Sequence, residues 1–129
     1  MSLENQWHDP ATAIAEGRRL FNKGEYFEAH EVLEDAWRSA TGETKQFLKG
    51  LIHAAVALHH YGRRNAHGAR VKRLSSRDYL APFQPVWAGI NVEALLLEME
   101  EFFSTLEQPF VPVWRPPDDA RPQIRTAEP

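Results

Sequence analysis

The chain contains no cysteine. That absence excludes disulfides, thiolate zinc sites and cysteine nucleophiles, and it fits a reducing, cytoplasmic compartment. No stretch approaches the roughly 20 consecutive apolar residues that span a bilayer. The opening MSLENQWHDP has neither the basic region nor the apolar core of a signal peptide. The sequence therefore predicts a cytoplasmic protein without membrane association. Acid is missing from one long stretch as well: there is none between Thr44 and Arg77, while residues 63–77 hold Arg63, Arg64, Arg70, Lys72, Arg73 and Arg77. Residues 25–35 and 93–107 are rich in Glu, so the net charge of -3 conceals a segregation of sign. A chain of that net charge lacks the basic footprint of a nucleic-acid binder. Neutralisation of the basic segment by the acidic ones is the simpler expectation, with anion or nucleic-acid binding by residues 63–77 as an alternative.

What is present is enough apolar material for one core: 129 residues, 43% of them hydrophobic. Asp9-Pro10 supplies a cap and a first-turn proline for a helix to Lys23, and Gly24 ends it. A second helix from Glu25 to about Ala40 follows at once and makes a helical hairpin. The third, about Glu43 to Arg64, is apolar almost all round (Phe47, Leu48, Leu51, Ile52, Leu58, Tyr61), the pattern of a central helix. Its narrow polar edge carries Lys49, His53, His60 and Arg64. After the turn at Asn65–Gly68, a basic fourth helix runs to about Leu80 and stops at Pro82 and Pro85. Asn91 caps a fifth, with Val92, Leu95, Leu96, Met99, Phe102, Phe103 and Leu106 on one face. Six of the nine prolines lie between Pro109 and Pro129. The expectation is an all-α compact bundle of about five helices around a central apolar helix, without a sheet, over residues 1–108. A proline-rich extended tail over 109–129 follows, its Phe110, Val111, Val113 and Trp114 packed on the bundle and residues beyond Arg115 mobile.

The second helix carries the most chemistry. Taking Tyr26 as origin and about 100° per residue, His30 and Glu34 fall near 40° and 80°, between Trp37 and Phe27. Their i, i+4 spacing lets them share a hydrogen bond or a ligand. If the aromatics point inward, the pair is carried inward too, and burial demands partners. The reading is a mostly buried polar site of His30, Glu34, Trp37, Lys49 and Asn65 that bridges the second and third helices. The alternative is a divalent metal, because H-E-V-L-E resembles the H-E-x-x-H helix of zinc proteases with its second His replaced. Candidate ligands are then His30, Glu34, His53, His59 and His60, with His67 as a further source. No third ligand has diagnostic spacing, and the E-x-x-H pair of di-iron bundles is absent. Gly50 and Gly68 sit in or beside helices, where close helix contact would compensate their low propensity.

LFNKGEYFEAHEVLEDA resembles a tetratricopeptide unit, but the positions 34 residues after Gly24 and Tyr26 are Leu58 and His60, so no repeat recurs. FEAHEVLEDAWR, FLKGLI and NAHGA, spread over about residues 20–80, instead resemble the domain of unknown function 309 family of small helical bacterial and archaeal proteins. The resemblance implies a compact bundle of about five helices with one central, and it carries over no catalytic activity because none is established for the family. It maps characteristic positions to His30, Glu34, Trp37, Lys49, Gly50, Asn65 and Gly68, and it implies Gln more often than His at position 53. Together these readings favour a noncatalytic helical interaction or ligand-binding module, with a protein partner or a second copy as its possible associate. A metal-dependent or small-molecule enzyme centred on His30 and Glu34 is the alternative, and the sequence completes no catalytic constellation that would decide for it.

Overall fold

The computed structural model describes residues 8–104 and 121–127. Five α-helices follow the expected order: α1 (Pro10–Asn22), α2 (Tyr26–Ser39), α3 (Gly42–Gly62), α4 (Ala66–Leu80) and α5 (Val92–Phe103). Local chemistry sets their ends. The Asp9 carboxylate accepts from the Thr12 amide at 3.0 Å and its hydroxyl at 2.7 Å, with Pro10 opening the first turn. Asn65 accepts from the Gly68 amide and Asn91 from the Ala94 amide, each at 2.9 Å. Connections of a few residues turn α1 through α4 back on one another, so chain neighbours are antiparallel neighbours in space.

The third helix is central, as its composition requires. From Phe47 to Tyr61 only Lys49, Val56, His59 and His60 escape burial. It packs on α2 and α4, and Tyr61 meets Phe102 and Phe103 of α5 edge-on, with centroids at 4.8 and 5.9 Å. At the other end Phe47, Phe83 and Trp87 form an aromatic cluster with separations of 4.7 to 5.3 Å. The α3–α4 approach is unusually tight at Gly50. A Cβ there would stand 2.5 Å from Leu80 Cγ, and the Gly50 carbonyl accepts from Ser76 Oγ at 3.0 Å. The close contact expected from sequence at Gly50 is present, and it brings the middle of α4 against the polar edge of α3.

Two departures from the expected architecture occur at its margin. After a 3-10 turn (Ala81–Phe83), β1 (Val86–Trp87) and β2 (Ile90–Asn91) form a minimal antiparallel hairpin, with Val86 opposite Asn91. Positive φ at Ala88 and Gly89 makes the two-residue turn, a signal that Ala in place of the usual Asn conceals. The sheet is too small to change the helical class. The second departure is the segment Arg121–Ala127, expected to be mobile and instead docked. Ile124 is 1% exposed, and the Asn22 side chain holds both its N–H (2.7 Å) and its C=O (3.0 Å). Arg18 Nε adds a 2.7 Å bond to the same carbonyl, while Glu98 accepts from Gln123 and Arg125. Buried Pro122 and Ile124, the Asn22 and Glu98 side chains, and backbone bonds between residues 125–127 and the hairpin together fix this segment, and composition alone does not register it. Phe110, Val111, Val113 and Trp114 lie outside the described residues.

Candidate functional site

On α2 the buried side chains are Ala29, Leu33 and Ala36, all fully inaccessible. At about 100° per residue they centre near 310°, roughly a quarter to a third of a turn from His30 and Glu34. These smaller residues, rather than the aromatics, mark the inward direction. His30 and Glu34 therefore sit on the rim, with side chains 22% and 36% exposed. Burial of the pair is thus partial, and the expected bridge to α3 is corrected, because among the described residues the hydrogen bonds and ion pairs of His30 and Glu34 stay within α2. Adjacency holds: His30 Nε2 stands 3.4 Å from Glu34 Oε2. The other contacts are local, since His30 Nδ1 donates to the Phe27 carbonyl at 3.0 Å and Arg38 reaches Glu34 and Asp35 at 2.9 Å each.

The remaining sequence candidates gather along one side of α3, in neighbouring pairs rather than around one point. Trp37 receives Lys45 and Lys49, whose ammonium groups stand 4.4 and 4.5 Å from its ring centroid. Phe27, 46% exposed, lies between His30 (5.2 Å) and His59 (5.4 Å). Burial, followed by the positive field of Arg63, His60 and His30, holds the His59 pKa below its ordinary value. Asn65 caps α4 and also meets His60 Nδ1 at 3.3 Å, over a Gly68 whose Cβ would come within 3.0 Å of the His60 ring. The second glycine singled out by the sequence thus also marks a close approach.

His53 is the buried histidine of the set, 9% exposed. Its Nδ1 lies 2.7 Å from Ser75 Oγ across the α3–α4 seam, and Tyr79 packs edge-on at 5.4 Å. Burial, then the charges of Lys72 and Lys49, push its pKa down to about 4, so the ring is neutral at pH 7. The sequence marks Lys72 only as one of the basic residues of 63–77, the alternative anion or nucleic-acid site, and does not mark Ser75 at all. Nothing in the spacing of residues 53, 72 and 75 announces a contact, because it is created by the return of α4 along α3.

The chemistry available follows from these placements. His30 and Glu34 are the two candidate metal ligands that touch, and Glu34 is already engaged by Arg38. Among the described residues no three His, Asp or Glu side chains stand together as a metal-binding group. The basic segment does not form one exposed stripe. Arg63 and Arg64 are exposed beyond the end of α3, Arg73 is buried, and on α4 Arg70 and Arg77 lie on the side away from Lys72 at about 100° per residue. The ion pairs of Glu34 and Asp35 run to Arg38 on their own helix. Among the described residues no helix is long and apolar enough to cross a membrane.

Residues 14–71 match the family model described as Domain of unknown function (DUF309). An "Uncharacterized protein" of Aquifex aeolicus (strain VF5) is 33% identical over 99 residues, covering 75% of this chain and 29% of that protein. "Uncharacterized protein YpuF" of Bacillus subtilis (strain 168) is 43% identical over 86 residues, covering 64% of this chain and 49% of YpuF. The chain thus spans less than half the length of these curated relatives. The matched region holds His30, Glu34, Trp37, Lys49, His53 and Asn65, while Lys72 and Ser75 fall just beyond it. Over residues 14–71, the chain is thus similar to the domain of unknown function 309 family.

Proposed function

We propose that this chain is a noncatalytic ligand-binding helical module whose binding face is the polar edge of α3, framed by α2 and α4. One observation carries the reading. The positions of the central helix that escape burial from Phe47 to Tyr61 are Lys49, Val56, His59 and His60, and three of these meet a side chain from a flanking helix or its cap: Lys49 meets Trp37, His59 meets Phe27, and His60 meets Asn65. An edge so framed presents aromatic, imidazole and ammonium groups without converging them on one reacting atom, which suits recognition rather than bond cleavage. Among the described residues every buried side-chain nitrogen and oxygen is hydrogen-bonded, so the interior holds no polar group in want of a substrate.

A competing depression of about 320 Å³ lies between α4 and α5, lined in part by Arg73, Gln84, Leu96 and Met99. The two surfaces are separated by mapping amide shifts of the full chain against a panel of small aromatic and anionic fragments. The expected outcome is that perturbations collect at Trp37, Lys49, His53, His59 and His60. Perturbations confined to Leu96, Met99 and their neighbours would move the binding face elsewhere.

A further inference from the structure

We infer that the α3–α4 seam holds an oxyanion site in which Lys49 and Lys72 flank the His53–Ser75 hydrogen bond and receive a phosphate group, as the free ion or as a monoester. This rests on the reading of the α3 edge as the binding face and names the chemistry of its ligand.

The placement comes from helix geometry. His53 and Ser75 meet at 2.7 Å, and Ser76 meets the Gly50 carbonyl at 3.0 Å, which fixes the register of the two antiparallel helices. Lys49 lies one turn before His53 on α3, and Lys72 lies nearly one turn before Ser75 on α4. One turn back on each antiparallel helix leads in opposite directions along the seam, so the helix positions of the two lysines bracket the pair from its two ends. Both charges are felt at His53. On the α2 side, Trp37 holds Lys49 and Lys45 through its ring face, an interaction that leaves their charge intact.

The charge of this seam is not answered from within. No ion pair of the described residues reaches Lys45, Lys49 or Lys72, and no acid occurs in the sequence between Glu43 and Asp78. Two unneutralised lysines beside a buried imidazole disfavour any further positive charge, and their field adds to burial, the larger cause, in lowering the His53 pKa. An anion relieves it. A phosphate monoester carries about -1.5 to -2 at pH 7, close to the charge of two lysines, whereas one carboxylate would leave a lysine unanswered. The Ser75 hydroxyl can accept from His53 Nδ1–H and still donate to a phosphate oxygen.

The test is a titration of the isotopically labelled full chain with inorganic phosphate at constant ionic strength, with chloride as the balancing ion. Saturable shifts at Lys49, His53, Lys72 and Ser75 are expected, with the His53 ring titration moving upward from about 4. Acetate should give no saturable change. Lys49→Met and Lys72→Met, which keep an apolar stem, should each weaken phosphate by about tenfold or more, and Lys72→Arg should retain it. Lys23→Met, at the end of α1, should bind as the parent does. Equal affinity for phosphate and phenyl phosphate assigns the free ion. Tighter phenyl phosphate that is lost on Trp37→Leu assigns a monoester. Shifts that chloride reproduces, or an equal loss in Lys23→Met, overturn the site. If phosphate fails while fragments still collect along α3, the ligand class is wrong; if fragments collect at the α4–α5 depression, the binding-face reading is wrong.

Discussion

Two histidine pairs divide this molecule. His30 and Glu34 lie one turn apart on a single helix, at 3.4 Å, on a partly exposed rim with Arg38 on the same carboxylate. His53 and Ser75 lie 22 residues apart on two helices, at 2.7 Å, with the imidazole buried and neutral. The first pair is visible in the sequence because helical spacing alone creates it. For the same reason it is superficial: an i, i+4 ion pair in water forms with or without a tertiary fold and contributes about 0.3–0.5 kcal/mol. The second exists only when α4 returns against α3, so it reports on the fold and shapes what the fold presents.

The largest effect expected is at the contact that seats the seam. Gly50→Leu places side-chain atoms where Leu80 already stands within 2.5 Å of a Cβ, and overpacking of this kind costs about 1–3 kcal/mol or more in addition to any change in helix propensity. Thermal unfolding should show a melting temperature lowered by many degrees, and an unchanged value would contradict the tight α3–α4 approach. Ser75→Ala comes next, at about 1–3 kcal/mol, because it leaves the buried His53 nitrogen without its partner. Denaturant unfolding measures it, and a loss below a few tenths of a kcal/mol would place His53 in contact with water. Asn65→Ala should cost about 1 kcal/mol through the lost α4 cap, read in the same experiment. The smallest effect is expected at Glu34→Gln, within about 0.5 kcal/mol, since its partners are exposed and on its own helix. A loss of several kcal/mol there would restore the buried pair that the sequence suggested.

A pH series sharpens the same contrast. The folded His53 pKa of about 4 lies below its ordinary value near 6.5. Between these limits the unfolded chain binds a proton that the folded chain refuses, so stability rises with pH across that window. The His53 contribution is complete above about pH 6.5 and is lost as pH falls toward 4. His53→Gln, which keeps hydrogen-bonding capacity without titrating, should flatten the difference in stability between pH 7 and pH 4.5.

The helices were legible because each has a local cause. Asp9-Pro10, Gly24, Asn65 and Asn91 mark the ends of elements, and the nearly uniform apolarity of Phe47–Tyr61 marks the centre. The polar edge of α3 was legible too, as Lys49, His53 and His60 recurring at helical spacing. The direction in which α2 faces was not. Trp37, Phe27 and Tyr26 suggested one inward side, yet Ala29, Leu33 and Ala36 take it, because the close approach of Gly17 to Leu33 selects small and aliphatic residues for the interface. Large aromatics then serve as the rim, with Phe27 in solvent and Trp37 beneath two lysines. Ser75, Lys72 and the docking of Ile124 depend on contacts between distant segments, which residue periodicity does not encode.

A pair of double-mutant cycles tests this division most directly, with unfolding free energies measured for His53→Ala with Ser75→Ala and for His30→Ala with Glu34→Ala. A coupling of about 1 kcal/mol or more is expected across the seam, and about 0.5 kcal/mol or less within α2. The reverse order, with strong coupling between His30 and Glu34 and none between His53 and Ser75, would contradict the account and return the candidate site to the second helix.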